Sequence, residues 1–275
     1  MLRRTFLAAG TATLSAQEQS IVRQGRLKQA VTRGCFGRGM ALEDMARHAA
    51  RLGVKGFDLI GEDGWPILKK HGLVPSMAPG GGTIRDALNR KENHPRIEMQ
   101  IRENLKKAAA NGVPNVITFS GNRGGMSDEQ AIDHSVAFLN NVKAEAEDLG
   151  VTIAMELLNS KVNHPDYQCD RTSFGVEIMK RVNSPRVKLL YDIYHMQIME
   201  GDVIRTIRAN IQHIAHFHTA GNPGRHEFDD TQEMNYRGIA RAIADLKFTG
   251  FVAHEYSPLG DPLRSLDEAL RICDV

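Results

Sequence analysis

The sequence is poor in cysteine and tryptophan and carries no surplus of either charge. Its three cysteines, Cys35, Cys169 and Cys273, are far apart and form no Cys-x-x-Cys pair. That argues against a disulfide framework and a zinc–thiolate site. The chain has 35 basic and 33 acidic residues, for a net charge of +2, so neither a nucleic-acid groove nor a polybasic membrane surface is expected. No apolar run is long enough to span a bilayer, and a stable membrane anchor is not expected. There is no Gly-x-Gly-x-x-Gly after the first strand-like run and no P-loop. PGGG at 79–82 lacks a Gly-Lys-Ser/Thr ending and reads as a flexible loop rather than a phosphate cradle.

The N-terminus does carry a pattern. MLRRTFLAAGTATLSAQ pairs Arg3 with Arg4, follows with Phe6 and Leu7, and runs weakly apolar into small residues. This is the layout of an export signal, and the arginine pair points to the twin-arginine route with cleavage near Ala16. Residues 1–16 are therefore set apart from the fold, and 17–275 are read as one domain. The expected location is the periplasm; if the arginine pair is a chance occurrence, it is the cytoplasm.

Beyond the signal, eight short apolar or β-branched runs occupy 30–35, 56–60, 74–77, 115–120, 152–156, 188–192, 213–218 and 250–255. Amphipathic segments lie between them. LEDMARHAARLG, IRENLKKAAANG and NYRGIARAIADLKFTG each end in glycine, and the segment after Ser127 opens on a serine cap and closes at Gly150. Eight strands alternating with helices in this length fit a single-domain α/β fold, the (β/α)8 TIM barrel. A doubly wound sheet is the alternative architecture.

In such a barrel the C-terminal strand ends meet at one mouth. TIAMELLN presents Glu156, KLLYDIYH presents Asp192 and leads through His195 into a polar loop, IAHFHTAG presents His218 and FVAHEYSP presents Glu255. A lone acidic strand end is ordinarily a helix cap or a solvated loop residue. His216 and His218, which alternate onto one side, each read equally as core histidines. Four such residues on successive strands are better explained by one shared site. Three carboxylates and one imidazole form a hard donor set that favours Mn2+, Mg2+ or Co2+ and leaves room for two substrate oxygens. With a carbonyl polarised there, the adjacent C–H becomes acidic, and Glu156 and Glu255 on opposite sides could remove and return a proton. The expected chemistry is isomerisation through an enediol, or epimerisation, of a small hydroxycarbonyl acid or sugar.

These stretches resemble the hydroxypyruvate isomerase family, within the wider xylose-isomerase-like barrels that include the ketose 3-epimerases. The resemblance rests on MELLN, YDIYHMQ, HTAGNPGRHEFDDTQEMNY and HEYSP. It is strong over 152–258; in the first half only the strand–helix rhythm agrees. It implies a divalent metal held by Glu156, Asp192, His218 and Glu255, with Glu156 and Glu255 as proton acceptor and donor. It also implies an aldose–ketose type isomerase, with His195 beside the substrate oxygens and Arg225 at the substrate's distal end. Family barrels often pair through their helical faces, so a homo-oligomer is compatible with the resemblance.

Two cues differ over substrate. The resembling isomerases have glutamine where this chain has His218 and the epimerases have histidine, whereas PGRHE with its acidic sequel looks like the isomerase. The planar fork of Arg225 suits a carboxylate, or equally an ion pair with Glu227 or a neighbouring acid. Trp65 reads as helix-start packing, His226 and Glu227 as partners that orient ligands, and His254 as facing the helical layer. His164 and Tyr167 read as part of a lid. Two other functions compete. A multinuclear-zinc repair nuclease would need a basic face that this chain lacks, and an exported sugar-binding barrel would need no intact ligand set.

Overall fold

The computed structural model describes residues 20–275; the expected export signal lies outside the described residues. Eight parallel strands follow one another: β1 (Lys28–Val31), β2 (Gly56–Asp58), β3 (Val74–Gly81), β4 (Asn115–Thr118), β5 (Thr152–Glu156), β6 (Val187–Asp192), β7 (Ile214–Thr219) and β8 (Phe251–His254). They close in sequence order, with β8 pairing back to β1. This is the expected TIM barrel. Its helices are α1 (Leu42–Arg51), α2 (Trp65–Lys70), α3 (His94–Asn111), α4 (Asp128–Leu149), α5 (Thr172–Val182), α6 (Ile193–Met199), α7 (Val203–Asn210), α8 (Tyr236–Asp245) and α9 (Pro262–Cys273). Among the described residues, no helix is long and apolar enough to cross a membrane. All three cysteines are free and buried.

Parallel strands covered on both faces need apolar side chains on both, which is why the strand sequences read as near-continuous apolar runs. Successive side chains alternate between lumen and helical layer. Met77, Ile117, Ala154 and Leu190 pack together as one lumen cluster, and Ala30, Phe251 and Ala253 form another. Their neighbours Phe57, Val116, Ile153, Leu189, Phe217 and Val252 join the large outer core instead. The pattern decides the direction of the polar strand ends. Glu156 lies two residues past Ala154, Asp192 two past Leu190, and Glu255 two past Ala253, so all three point into the lumen.

Helix ends follow their local signals. The Ser127 hydroxyl accepts the Gln130 amide at 3.2 Å and starts α4, which ends at Gly150 in the left-handed conformation (φ 68°). Three expectations need correction. PGGG is not a flexible loop, because β3 runs through it to Gly81 and pairs with β4 there. A side chain at Gly80 would meet the Ile117 carbonyl oxygen at 2.3 Å, so glycine permits close strand approach rather than mobility. The segment after β6 is helix α6, not a polar loop, with Asp192 as its cap. Finally, β8 stops at His254, leaving Glu255 just beyond the strand.

Candidate metal centre and substrate site

The four strand-end residues meet. Glu156, Asp192, His218 and Glu255 each offer a ligand atom, and these atoms all lie within 4.8 Å of one another. His218 Nδ1 is 3.2 Å from Glu156 Oε1 and 2.9 Å from Glu255 Oε2. It nevertheless makes no directed hydrogen bond and is fully buried. Three carboxylates packed around a buried nitrogen repel one another unless positive charge sits among them. Burial, reinforced by Glu255 and Asp192 against the opposing pull of His218, pushes Glu156 up to about 7. Burial likewise raises Asp192. Glu255 also loses solvent, but His218 and Arg225 outweigh that loss and hold it down at about 2. The donor set, its convergence and the undirected Nδ1 fit a hard divalent cation.

A further carboxylate, which the sequence reading did not single out, backs this set. Asp58 ends β2, and its Oδ2 lies 2.6 Å from His216 Nε2 and 3.1 Å from His218 Nε2. Its Oδ1 accepts the Ser76 hydroxyl. Burial opposes its ionisation, but His216 and His218 keep the Asp58 carboxyl well below the usual carboxylate range. An ionised carboxylate only accepts, so both imidazoles donate to it from Nε2. His218 is thereby oriented with Nδ1 toward the four-ligand set. Burial disfavours charge on His218, yet Glu255, Asp58 and Glu156 raise its pKa well above the ordinary value. The Nδ1 position is thus built to face positive charge, whether a proton or a cation. Asp58, His216 and His218 also lie close enough to hold an ion themselves. Because the Asp58 oxygens already accept these three hydrogen bonds, the trio works as an orienting group. GFDLI did carry a signal for Asp58: an acid within an apolar strand run, as at Asp192.

His195 has a defined orientation as well. Asn159 Oδ1 accepts the amides of Val162 and Asn163 at 3.0 and 2.8 Å, which turns its Nδ2 toward His195 Nδ1 at 2.6 Å. Nδ1 therefore accepts and the ring proton sits on Nε2. That atom is buried without a hydrogen-bond partner, 3.5 Å from Asp192 Oδ2. Burial, then Arg225 and His164, lower the His195 pKa well below the ordinary value. The ring is a neutral donor at the edge of the ligand set.

Arg225 sits beside the same set. Its Nη2 donates to Glu255 Oε2 at 2.7 Å and lies 3.7 Å from Asp192 Oδ2, so its pairing acid is Glu255, not Glu227. Glu227 instead accepts the Leu259 and Gly260 amides, and His226 Nδ1 contacts the Ser257 carbonyl at 2.8 Å. These two pin one loop to the next rather than orient ligands. Tyr167 is no lid residue: its buried hydroxyl donates to the Glu156 carbonyl oxygen at 2.8 Å and accepts the Ser120 amide at 3.0 Å. His164 packs edge-on against His195, with ring centroids 5.2 Å apart. Trp65 is buried and donates to the Ile60 carbonyl at 2.8 Å, the expected packing role. His254 bridges Thr219 Oγ1 at 2.9 Å and Gln29 Oε1 at 3.0 Å. A cleft of about 330 Å³, lined in part by Arg33, Asp58, Arg225 and Glu255, opens onto the site. A larger one of about 530 Å³, between Phe228 and Glu268, contains none of the four ligands.

Known proteins share this arrangement of strands. A protein of Danio rerio carrying the provisional name hydroxypyruvate isomerase is 33% identical over 140 residues, 50% of this chain and 51% of that protein. The 2-oxo-tetronate isomerase of Cupriavidus necator is 36% identical over 124 residues, 45% of this chain and 46% of that protein. The chain thus spans about half the length of these curated relatives. The crystal structure of AP endonuclease, family 2, from Brucella melitensis superposes with a TM-score of 0.79 at 24% identity, covering 87% of this chain and 97% of that one; at that identity it speaks for the fold alone. The family model described as xylose isomerase-like TIM barrel matches residues 46–274, and the chain belongs to that family.

Proposed function

We propose that the protein is a metal-dependent isomerase that interconverts the hydroxy-aldehyde and hydroxy-ketone forms of a small hydroxycarbonyl acid, as a hydroxypyruvate isomerase does. The observation that carries this reading is the convergence of Glu156 and Glu255 on His218 Nδ1, at 3.2 and 2.9 Å, with Asp192 completing the set. The names of the two isomerase relatives point the same way.

Glu156, Asp192, His218 and Glu255 would hold a divalent ion, Mn2+, Mg2+ or Co2+, which when bound would polarise a substrate carbonyl and acidify the neighbouring C–H. The chain's own groups do the rest. One glutamate, ionised at the start, takes the proton from the carbon bearing the hydroxyl, leaving an enediolate, and the other begins the cycle protonated. The other returns a proton to the adjacent carbon, while a hydroxyl proton moves between the two oxygens, so atoms and charge balance. His195, a neutral Nε2–H donor, hydrogen-bonds a substrate oxygen. Asp58 keeps His218 turned toward the ligand set.

The test is proton exchange. In heavy water, Mn2+-loaded protein should exchange the hydrogen on the hydroxyl-bearing carbon of hydroxypyruvate, and Glu255→Gln should lower that rate by about a hundredfold or more. Unchanged exchange in the folded variant overturns the proton-transfer role. His218, the residue found in the resembling epimerases, favours a second reading as a ketose 3-epimerase. Formation of an epimer from a ketose, with no aldehyde from hydroxypyruvate, would select it. The Arg3–Arg4 pair supports export by the twin-arginine route, which cell fractionation of the full chain tests.

A further inference from the structure

We infer that the floor of the barrel carries a second site, in which Lys28, Arg186 and Lys188 take a small oxyanion of the phosphate class, such as a phosphomonoester. It lies at the opposite end of the lumen from the metal centre and does not depend on the isomerase reading. On β6, Lys188 precedes Leu190 by two residues as Asp192 follows it by two, so all three face the lumen. Asp192 is therefore about 13 Å away along the strand. On β1, Lys28 stands two residues before the lumen residue Ala30. The alternation that brings carboxylates to the mouth thus brings two lysines to the floor.

The two lysines, Arg186 and Lys247 line a cavity of about 490 Å³ whose walls include no Asp or Glu. That is room for a small ligand. The contacts of its cations are all with neutral groups. Lys188 Nζ donates to the Gln212 carbonyl at 2.8 Å and Arg186 Nη1 to Thr152 Oγ1 at 3.4 Å. Lys28 Nζ stands 5.7 Å from the centre of the Phe251 ring. Among the described residues, none of the four cations pairs with a carboxylate. Phe248 and Phe251 add an apolar wall that suits the organic part of a phosphomonoester.

The charge is held there at a cost. Lys188 is half-buried, and burial lowers its pKa with no acid to offset the loss of solvent. Burial, then Lys188 and Lys180, lower the pKa of His213, immediately before β7. Like charges gathered beside low-dielectric walls repel one another. The imbalance extends over the whole face. The segments leading into the eight strands (24–28, 52–56, 71–74, 112–115, 150–152, 183–188, 210–214 and 246–251) carry Arg26, Lys28, Lys55, Arg186, Lys188 and Lys247. They carry no Asp or Glu, in a chain of 35 basic and 33 acidic residues. Helix C-termini end on this face too, but their partial negative charge acts within the last helical turn, whereas Lys28 and Lys188 stand on strands. An oxyanion in the cavity supplies the missing charge and accepts from several of these donors at once.

The test is calorimetric titration of inorganic phosphate into the Mg2+-loaded full chain. Binding at low salt should weaken as salt rises. Lys28→Met and Lys188→Met should each weaken it by about three- to tenfold, while Arg225→Gln leaves it within about twofold. No binding at millimolar phosphate, or a loss confined to Arg225→Gln, overturns the floor site. Stability separates a ligand site from a structural lysine. Without phosphate, Lys188→Met should unfold at a higher urea concentration than the wild type, because repulsion is relieved. Phosphate should raise the wild-type midpoint and leave that of the variant in place. A midpoint lowered by Lys188→Met in the absence of phosphate overturns the proposal. Glycerol 3-phosphate should compete with phosphate for the site. Co-sedimentation with phosphatidylglycerol vesicles that requires Lys28 and Lys188, without such competition, overturns the small ligand in favour of a membrane surface.

Discussion

Asp58 accepts from His218 across the barrel lumen, Oδ2 to Nε2 at 3.1 Å, and that contact turns the opposite ring nitrogen toward three carboxylates. Replacing the acid with an amide of the same size tests how much the orientation matters. Asp58→Asn should weaken Mn2+ or Co2+ binding by about 10- to 100-fold, read by calorimetry. It should also destabilise the fold by several kcal/mol, because His216 loses its buried partner.

A cation bound among the four ligands adds its binding energy to folding. At a free concentration of about 100 times Kd the gain is about 2.7 kcal/mol. Thermal unfolding of the wild type should therefore move to higher temperature with added Mn2+ and fall back with a chelator. Asp192→Asn, which keeps the α6 cap acceptor while weakening the ligand, should lose most of that response.

The Asn159–His195 contact predicts a tautomer. Asn159→Asp preserves the acceptor for the Val162 and Asn163 amides but turns the donor facing His195 into an acceptor. The His195 proton should then move to Nδ1, leaving Nε2 bare toward the substrate. Long-range nitrogen–proton correlation spectra report the tautomer, and kcat/KM should fall about 10- to 100-fold.

Gly221 sets the loop that carries Arg225. A methyl group there would lie 2.3 Å from the Glu227 carbonyl oxygen. Gly221→Ala should cost about 1–3 kcal/mol through forced backbone movement and raise KM by displacing Arg225. Mn2+ affinity should stay within about threefold, because His218 lies ahead of the loop within β7 and the other three residues sit at the ends of β5, β6 and β8.

Burial pushes the Cys35 thiol up to about 11 and the Cys273 thiol up to about 12. The folded chain therefore keeps protons that the unfolded chain releases above about pH 8.5. Their contribution to stability is complete below that pH and is lost as pH rises toward the folded values, by up to about 1.4 kcal/mol per pH unit for each thiol. Urea midpoints should fall between pH 8.5 and 10, and Cys273→Ala should flatten that slope. At pH 8, thiol reagents should label the protein only as it unfolds.

Much of the site was legible because strand alternation is local. Once Ala154 and Leu190 are lumen residues, Glu156 and Asp192 must be lumen residues too, and no distant contact is needed to say so. PGGG misled for the opposite reason. Glycine marks either a loop or a close backbone approach, and only the β4 strand lying against Gly80 distinguishes them. His195 was placed on a loop because the Asp192 cap of α6 is indistinguishable, in sequence, from the end of a strand. Glu227 and Tyr167 drew attention as polar residues on loops. Their partners are backbone groups, whose availability depends on how the loops cross.

By itself the sequence determined the rhythm of eight strands and the four polar residues at the ends of the last ones, since both follow from periodicity along the chain. Tertiary structure decided which distant residues complete the site. Asp58 meets His216 and His218 across 158 and 160 residues. The Thr32 amide reaches the carbonyl of His254, the residue before Glu255, at 3.0 Å because β1 pairs with β8 and closes the barrel. Closure couples the first strands to the last, and no local pattern encodes which side chains then face each other.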